Sequence, residues 1–163
     1  MAHTERTIAV PPDQVFAVLA DGWTYADWVV GTTHIRDVDA DWPAPGAKIH
    51  HKVGPWPVSL HDETVVLKAD PPDRLVLRPR IRPFGELTVV FRLAPSGRDG
   101  TRVVLEEDIA KGPLRWVRNK LNDLLMHGRN KETLRRLADI AEHRPARRTG
   151  DEHQDSAGMA RHA

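Results

Sequence analysis

From Thr33 to Ile109 the chain alternates apolar and polar residues between regularly spaced turn signals, and no other feature constrains the fold as much. Pro45-Gly46 turns the chain into Ala47–Val53, Gly54-Pro55 interrupts it before Val58–Lys68, and Pro71-Pro72-Asp73 precedes Arg74–Ile81. Pro83 to Gly85 leads into Glu86–Leu93, and Asp99-Gly100 is a hairpin signal before Thr101–Ile109. Strands joined by loops this short form an antiparallel sheet. Leu87, Val89, Phe91 and Leu93 alternate with Glu86, Thr88, Val90 and Arg92, which gives one buried face and one mostly wet face. The sheet is therefore expected to be covered on one side only.

The cover is expected from Gly112 to about Glu142, which reads as one long helix. Pro113 suits the first helical position, where its missing N–H would be unpaired anyway. Leu114, Val117, Leu121, Leu124 and Leu125 recur at helical spacing and make an apolar stripe that should be buried. A second stripe of Leu134, Leu137 and Ala141 lies on nearly the opposite side. The mismatch predicts a bend, a break or irregular helix around Gly128. Glu132 with Arg136, and Arg135 with Asp139, sit one turn apart as charge pairs.

Ahead of the sheet, His3 to Val10 reads as a first strand. Pro11, Pro12 and Asp13 then open a short helix with Val15, Phe16 and Leu19 on one side, and Gly22 is expected to close it as a left-handed cap. The span Trp23-Thr24-Tyr25-Ala26-Asp27-Trp28 is a turn or second short helix whose three large rings belong to the core or to the rim of a pocket.

Composition bounds the partners. A chain of 163 residues, 40% hydrophobic and 29% charged, has room for a single domain with a real core. A net charge of +1 argues against a dedicated nucleic-acid binder, which needs a basic excess. With no cysteine, neither disulfides nor thiolate metal sites are available, and a reducing cytoplasm is the default expectation. Neither a signal-peptide-like run nor a stretch of ~20 apolar residues is present, so export and membrane insertion are not expected. Residues 143–163 lose apolar periodicity and read as a disordered polar tail, in which Arg144, Arg147 and Arg148 are too few to make a basic patch.

The order strand, two short helices, meander of strands and long final helix resembles the START-like, helix-grip superfamily, also called SRPBCC. The local phrases resemble its polyketide cyclase/dehydratase branch: Trp42-Pro43-Ala44-Pro45-Gly46, His50-His51-Lys52-Val53-Gly54, Asp62-Glu63-Thr64, Asp70-Pro71-Pro72-Asp73-Arg74-Leu75, Gly100-Thr101-Arg102-Val103 and Arg129-Asn130-Lys131-Glu132-Thr133-Leu134. The resemblance covers most of residues 3–142 and implies an α+β helix-grip fold, a curved antiparallel sheet wrapped around the long helix. It also implies binding of a small hydrophobic molecule such as a lipid or polyketide, with enzyme activity in some members and chaperone stimulation in others. It carries over no shared catalytic residue.

Candidate site residues follow from the inward phase of the strands. Ile49 and Val53 send His51 inward, and Val58 with Leu60 would send Asp62 and Thr64 after them; a bulge near Pro57 would send His61 and Glu63 instead. Val103, Leu105 and Ile109 carry Glu107 inward, Phe91 sits on the apolar phase of its strand, and Asn130 shares the second helical stripe. With Trp28 of the aromatic span, the candidate ligand-binding set is Trp28, His51, Asp62, Thr64, Phe91, Glu107 and Asn130. A buried carboxylate among them needs a His or Arg nearby.

Three roles compete for His51, Asp62 and Glu107: structural pairing, ligand anchoring, and general acid/base chemistry by His51 with Asp62 on a carbonyl-rich ligand. There is no cysteine nucleophile, glycine-rich phosphate loop or His-x-x-x-His pair, so the pattern calls for no cofactor and no metal. Oligomeric state has no sequence signal here.

Overall fold

The computed structural model of the chain describes residues 2–53, 60–81, 85–111 and 120–144. It begins with strand β1 (Ala2–Ile8), helix α1 (Pro12–Leu19), a single 3-10 turn (Gly22–Thr24) and helix α2 (Tyr25–Trp28). The meander β2 (Thr32–Val38), β3 (Lys48–Val53), β4 (Leu60–Asp70), β5 (Arg74–Ile81), β6 (Gly85–Ser96) and β7 (Gly100–Lys111) follows, and α3 (Lys120–His143) ends it. Neighbouring strands pair antiparallel in the order β1-β7-β6-β5-β4-β3-β2. This is the α+β helix-grip architecture: one curved sheet, with the helices on its apolar face.

Alternation decides which side chains face the helices. Leu75 and Leu77 of β5, Phe91 and Leu93 of β6, and Val103 and Leu105 of β7 are buried in one cluster, and Leu87 of β6 is buried as well. On β4 the inward set is Asp62, Thr64 and Val66, while His61 is exposed. Glu63 lies on the other face, where Lys48 and Arg80 meet it at 3.5 and 2.8 Å. α3 turns Asn130, Thr133, Leu134, Leu137, Ala138 and Ala141 inward, the spacing of one helical face. Fully burying each leucine contributes roughly 1.5–3 kcal/mol.

Polar contacts fasten the end of α3. The Ala9 N–H donates to Glu142 Oε1 at 3.0 Å, Gln14 Nε2 donates to the carbonyls of Ala141 and Arg144 at 2.9 and 3.2 Å, and Arg144 donates to Asp21 Oδ2 at 2.6 Å. Helix carbonyls left over by the α-helical pattern thereby find partners. The surface pairs Glu132–Arg136 and Arg135–Asp139 form at 2.8 and 2.7 Å, and each contributes only a few tenths of a kcal/mol. No helix among the described residues is long and apolar enough to cross a membrane.

Several expectations are corrected. α3 runs as uninterrupted α-helix through Gly128, so the break or irregular turn expected there does not occur, and Leu124 of the first stripe is 67% exposed rather than buried. Six residues at about 100° each place Leu124 roughly 120° round the helix from buried Asn130, so burying the second stripe turns Leu124 outward. Gly22 is not a left-handed cap: α1 ends on Ala20 in the right-handed helical region, and Gly22 begins the 3-10 turn. It is a site of close approach, because a Cβ there would stand 2.6 Å from Val38 Cγ1. Of the three rings in the aromatic span, Tyr25 and Trp28 are buried but Trp23 is exposed. The expected helix start at Pro113, with Leu114 and Val117, lies outside the described residues. So do Gly54-Pro55, Pro57, Val58, Pro83 and residues 145–163.

Candidate ligand cavity

Tyr25 and Trp28 stand three residues apart on α2, which puts both rings on one side of a single helical turn. Their centroids are 5.0 Å apart in an edge-to-face contact, and Trp28 meets Phe91 of β6 in another at 5.6 Å. Tyr25 also stacks on the His51 ring at 5.6 Å. The aromatic cluster thus joins α2 to two strands of the sheet and lines a cavity.

Behind His51 lies a chain of hydroxyls. His51 Nε2 is 2.9 Å from Thr64 Oγ1, and the Tyr25 hydroxyl is 3.1 Å from the same oxygen. Thr64 has one proton to give, and where it spends that proton on one of these two neighbours the chain runs in one of two directions. Either Tyr25 donates to Thr64 and Thr64 to Nε2, or the order reverses. The first leaves Nδ1 of His51 as a donor, the second as an acceptor. Burial, and then the charge of His50, holds the His51 pKa down to about 4, so the ring is neutral at neutral pH. Burial also pushes the Tyr25 phenol up to about 12, against the opposing hydrogen bond to Thr64.

Glu107 of β7 also lines this cavity, buried and ion-paired with Arg129 of α3. A buried carboxylate without a cation would be costly, and Arg129 supplies one. The next residue, Asn130, is buried beside it. Between these groups lies a space of about 200 Å³, with apolar walls that include Trp28, Leu77, Leu87, Val89, Phe91 and Leu105. His51, Glu107, Arg129, Asn130 and Thr133 supply polar lining. Trp28 Nε1, His51 Nδ1, Glu107 Oε2, Arg129 Nε and Asn130 Nδ2 are buried with no hydrogen-bond partner among the described residues.

Of the residues singled out by sequence, Trp28, His51, Phe91, Glu107 and Asn130 line this cavity. Thr64 is fully buried one layer back, where it holds His51 and Tyr25. Asp62 is buried directly opposite His51 in the β3–β4 register but is not part of the lining. The candidate set read from sequence left out Tyr25 and Arg129. The i, i+3 spacing of Tyr25 and Trp28 was a signal for the first, and the need of buried Glu107 for a cation was a signal for the second.

Residues 1–142 match a family described as polyketide cyclase / dehydrase and lipid transport. A search of curated proteins gave no match. Among solved structures, a START superfamily protein from Mycobacterium smegmatis superposes with a TM-score of 0.69 at 16% identity, covering 86% of this chain and 96% of that one. A protein from Rhodobacter sphaeroides gives 0.66 at 23% identity, covering 86% and 91%. A protein of the dynemicin biosynthetic locus gives 0.62 at 18% identity, covering 87% of this chain and 47% of its own. At these identities the likeness shows a shared fold.

Proposed function

The chain belongs to the polyketide cyclase / dehydrase and lipid transport family, and from that premise we propose that it binds one small, ring-sized hydrophobic molecule between the sheet and α3. The observation that carries this reading is an apolar cavity whose lining includes several buried polar atoms without partners among the described residues. Each such atom costs about 1–3 kcal/mol while unpaired, and a ligand that pairs it recovers part of that. Pockets that bind small molecules combine apolar walls with a few placed polar groups in this way.

Size narrows the ligand. A cavity of about 150 Å³ accommodates benzene, so the ~200 Å³ here suits one or two fused rings rather than a long acyl chain. Burying ~200 Å² of ligand surface contributes about 5 kcal/mol before the costs of association, which sets a micromolar scale. The test is titration with acetonaphthone and with methyl palmitate, following tryptophan emission in the wild type and in Trp28→Phe. A saturable change with the naphthyl ketone, diminished in the variant, is expected. No saturable change with either compound would overturn the reading.

A second reading, a cyclase or dehydratase using His51 with Asp62, draws on the Tyr25–Thr64–His51 chain, which gives the imidazole a fixed orientation. It ranks second because a base with a pKa of about 4 is weak at neutral pH, and because Asp62 stands outside the lining. On this reading His51→Gln abolishes turnover while ligand affinity stays within a few-fold. Unchanged turnover would remove His51 from the chemistry.

A further inference from the structure

We infer that the cavity selects an uncharged, carbonyl-bearing ligand over a carboxylate, and that Glu107 enforces the choice. The inference rests on the cavity being a binding site. Trp28 Nε1, Arg129 Nε and Asn130 Nδ2 are three buried N–H donors without partners among the described residues, all on side chains that line the same space. Donors in that number call for an acceptor on the ligand, and either a ketone or a carboxylate would supply one.

Charge decides between them. The Arg129 guanidinium is already neutralised by Glu107, which is only 1% exposed and therefore little screened by water. Arg80, the other cation lining the cavity among the described residues, is held by Glu63 and Glu86 at 2.8 and 3.1 Å. The neutral ring of His51 adds no charge of its own. Among the described residues, a bound carboxylate would thus enter beside Glu107 with no cation left to compensate it, and two buried like charges repel strongly. A ketone satisfies the same donors without that cost. Glu107 Oε2, itself without a partner among the described residues, can accept from a hydroxyl next to the carbonyl.

The probes are an ortho-hydroxy acetonaphthone and the ortho-hydroxy naphthoate of the same ring skeleton, which differ only in a methyl against a charged oxygen. By calorimetry the wild type is expected to bind the ketone at least about tenfold tighter, since juxtaposed like charges exceed that factor. In Glu107→Gln, which leaves Arg129 without its carboxylate, the preference is expected to shrink to within about threefold or to reverse. Equal or tighter binding of the naphthoate by the wild type would overturn the selection while leaving the cavity reading intact. Binding of neither compound would overturn both. An unchanged preference in Glu107→Gln would remove Glu107 from the mechanism, and if that variant does not fold, the wild-type pair decides the selection.

Discussion

His51 is a buried base that the fold keeps neutral, and this has a definite sign for stability. Its pKa is about 4 in the folded chain and about 6.5 in the unfolded one. Between those values the unfolded chain binds a proton that the folded chain refuses, so stability is complete above about pH 6.5 and falls as the pH drops towards 4. At about 1.4 kcal/mol per pH unit across the window, the loss by pH 4 is on the order of 3 kcal/mol. Two carboxylates act lower down. The Arg135 and Arg136 hydrogen bonds pull Glu132 to about 2, and the Arg102 hydrogen bond lowers Glu5, so their contributions fade only below about 4.5. Urea midpoints should therefore fall from pH 7 to pH 4.5 in the wild type and stay flatter in His51→Gln; parallel curves would assign the fall elsewhere. Thr64→Val keeps the shape but takes the shared partner from both His51 Nε2 and the Tyr25 hydroxyl. We expect it to lower stability by about 1–3 kcal/mol in the same assay at pH 7; a change under about 0.5 kcal/mol would mean that the hydroxyl chain contributes little.

At the scale of elements, the glycines separate local from tertiary causes. A Cβ at Gly22 would stand 2.6 Å from Val38 Cγ1, on a β-branched side chain that cannot swing away freely. Gly22→Ala should cost about 1–3 kcal/mol and Val38→Ala should relieve part of it, giving a non-additive double-mutant cycle. Additive losses would rule out the clash. Gly128 is the reverse case: it sits in regular helix with nothing within 4 Å of an added Cβ. Gly128→Ala should therefore raise stability by about 0.5–1 kcal/mol, and a loss would point to a break in α3 after all. The same contrast explains what could be read from sequence. Period-two alternation is local, so the strands, and the inward placing of His51, Asp62, Thr64 and Glu107, were legible. The fates of Gly22 and Leu124 depend on what packs against them across the fold. The i, i+3 spacing of Tyr25 and Trp28 on α2 was visible, but nothing local separates a core ring from a lining one, and the Arg129–Glu107 contact exists only once α3 lies on β7.

For the whole molecule, a ligand that binds only the folded chain must stabilise it. At a hundred times its dissociation constant, a ring-sized ketone should contribute about 2.7 kcal/mol and raise the melting temperature by roughly 5–10 °C. With a cavity of about 200 Å³, a long-chain ester should do no better than a short one; a shift that grows steadily with chain length would mean that the occupied space is larger. The strand order has another consequence, one that concerns time. β1 and β2 are neighbours in sequence but stand at opposite edges of the sheet, and among the described residues β1 pairs with β7 alone. About ninety residues separate Ile8 from Gly100. At roughly 5–20 residues per second of synthesis, β1 waits several seconds or more for its partner, and α3, which packs against it, is made later still. During that wait its ladder groups are open to any other nascent chain. Along β1, Glu5, Arg6 and Thr7 are exposed while Thr4 and Ile8 turn inward, and charges on a waiting strand discourage such pairing.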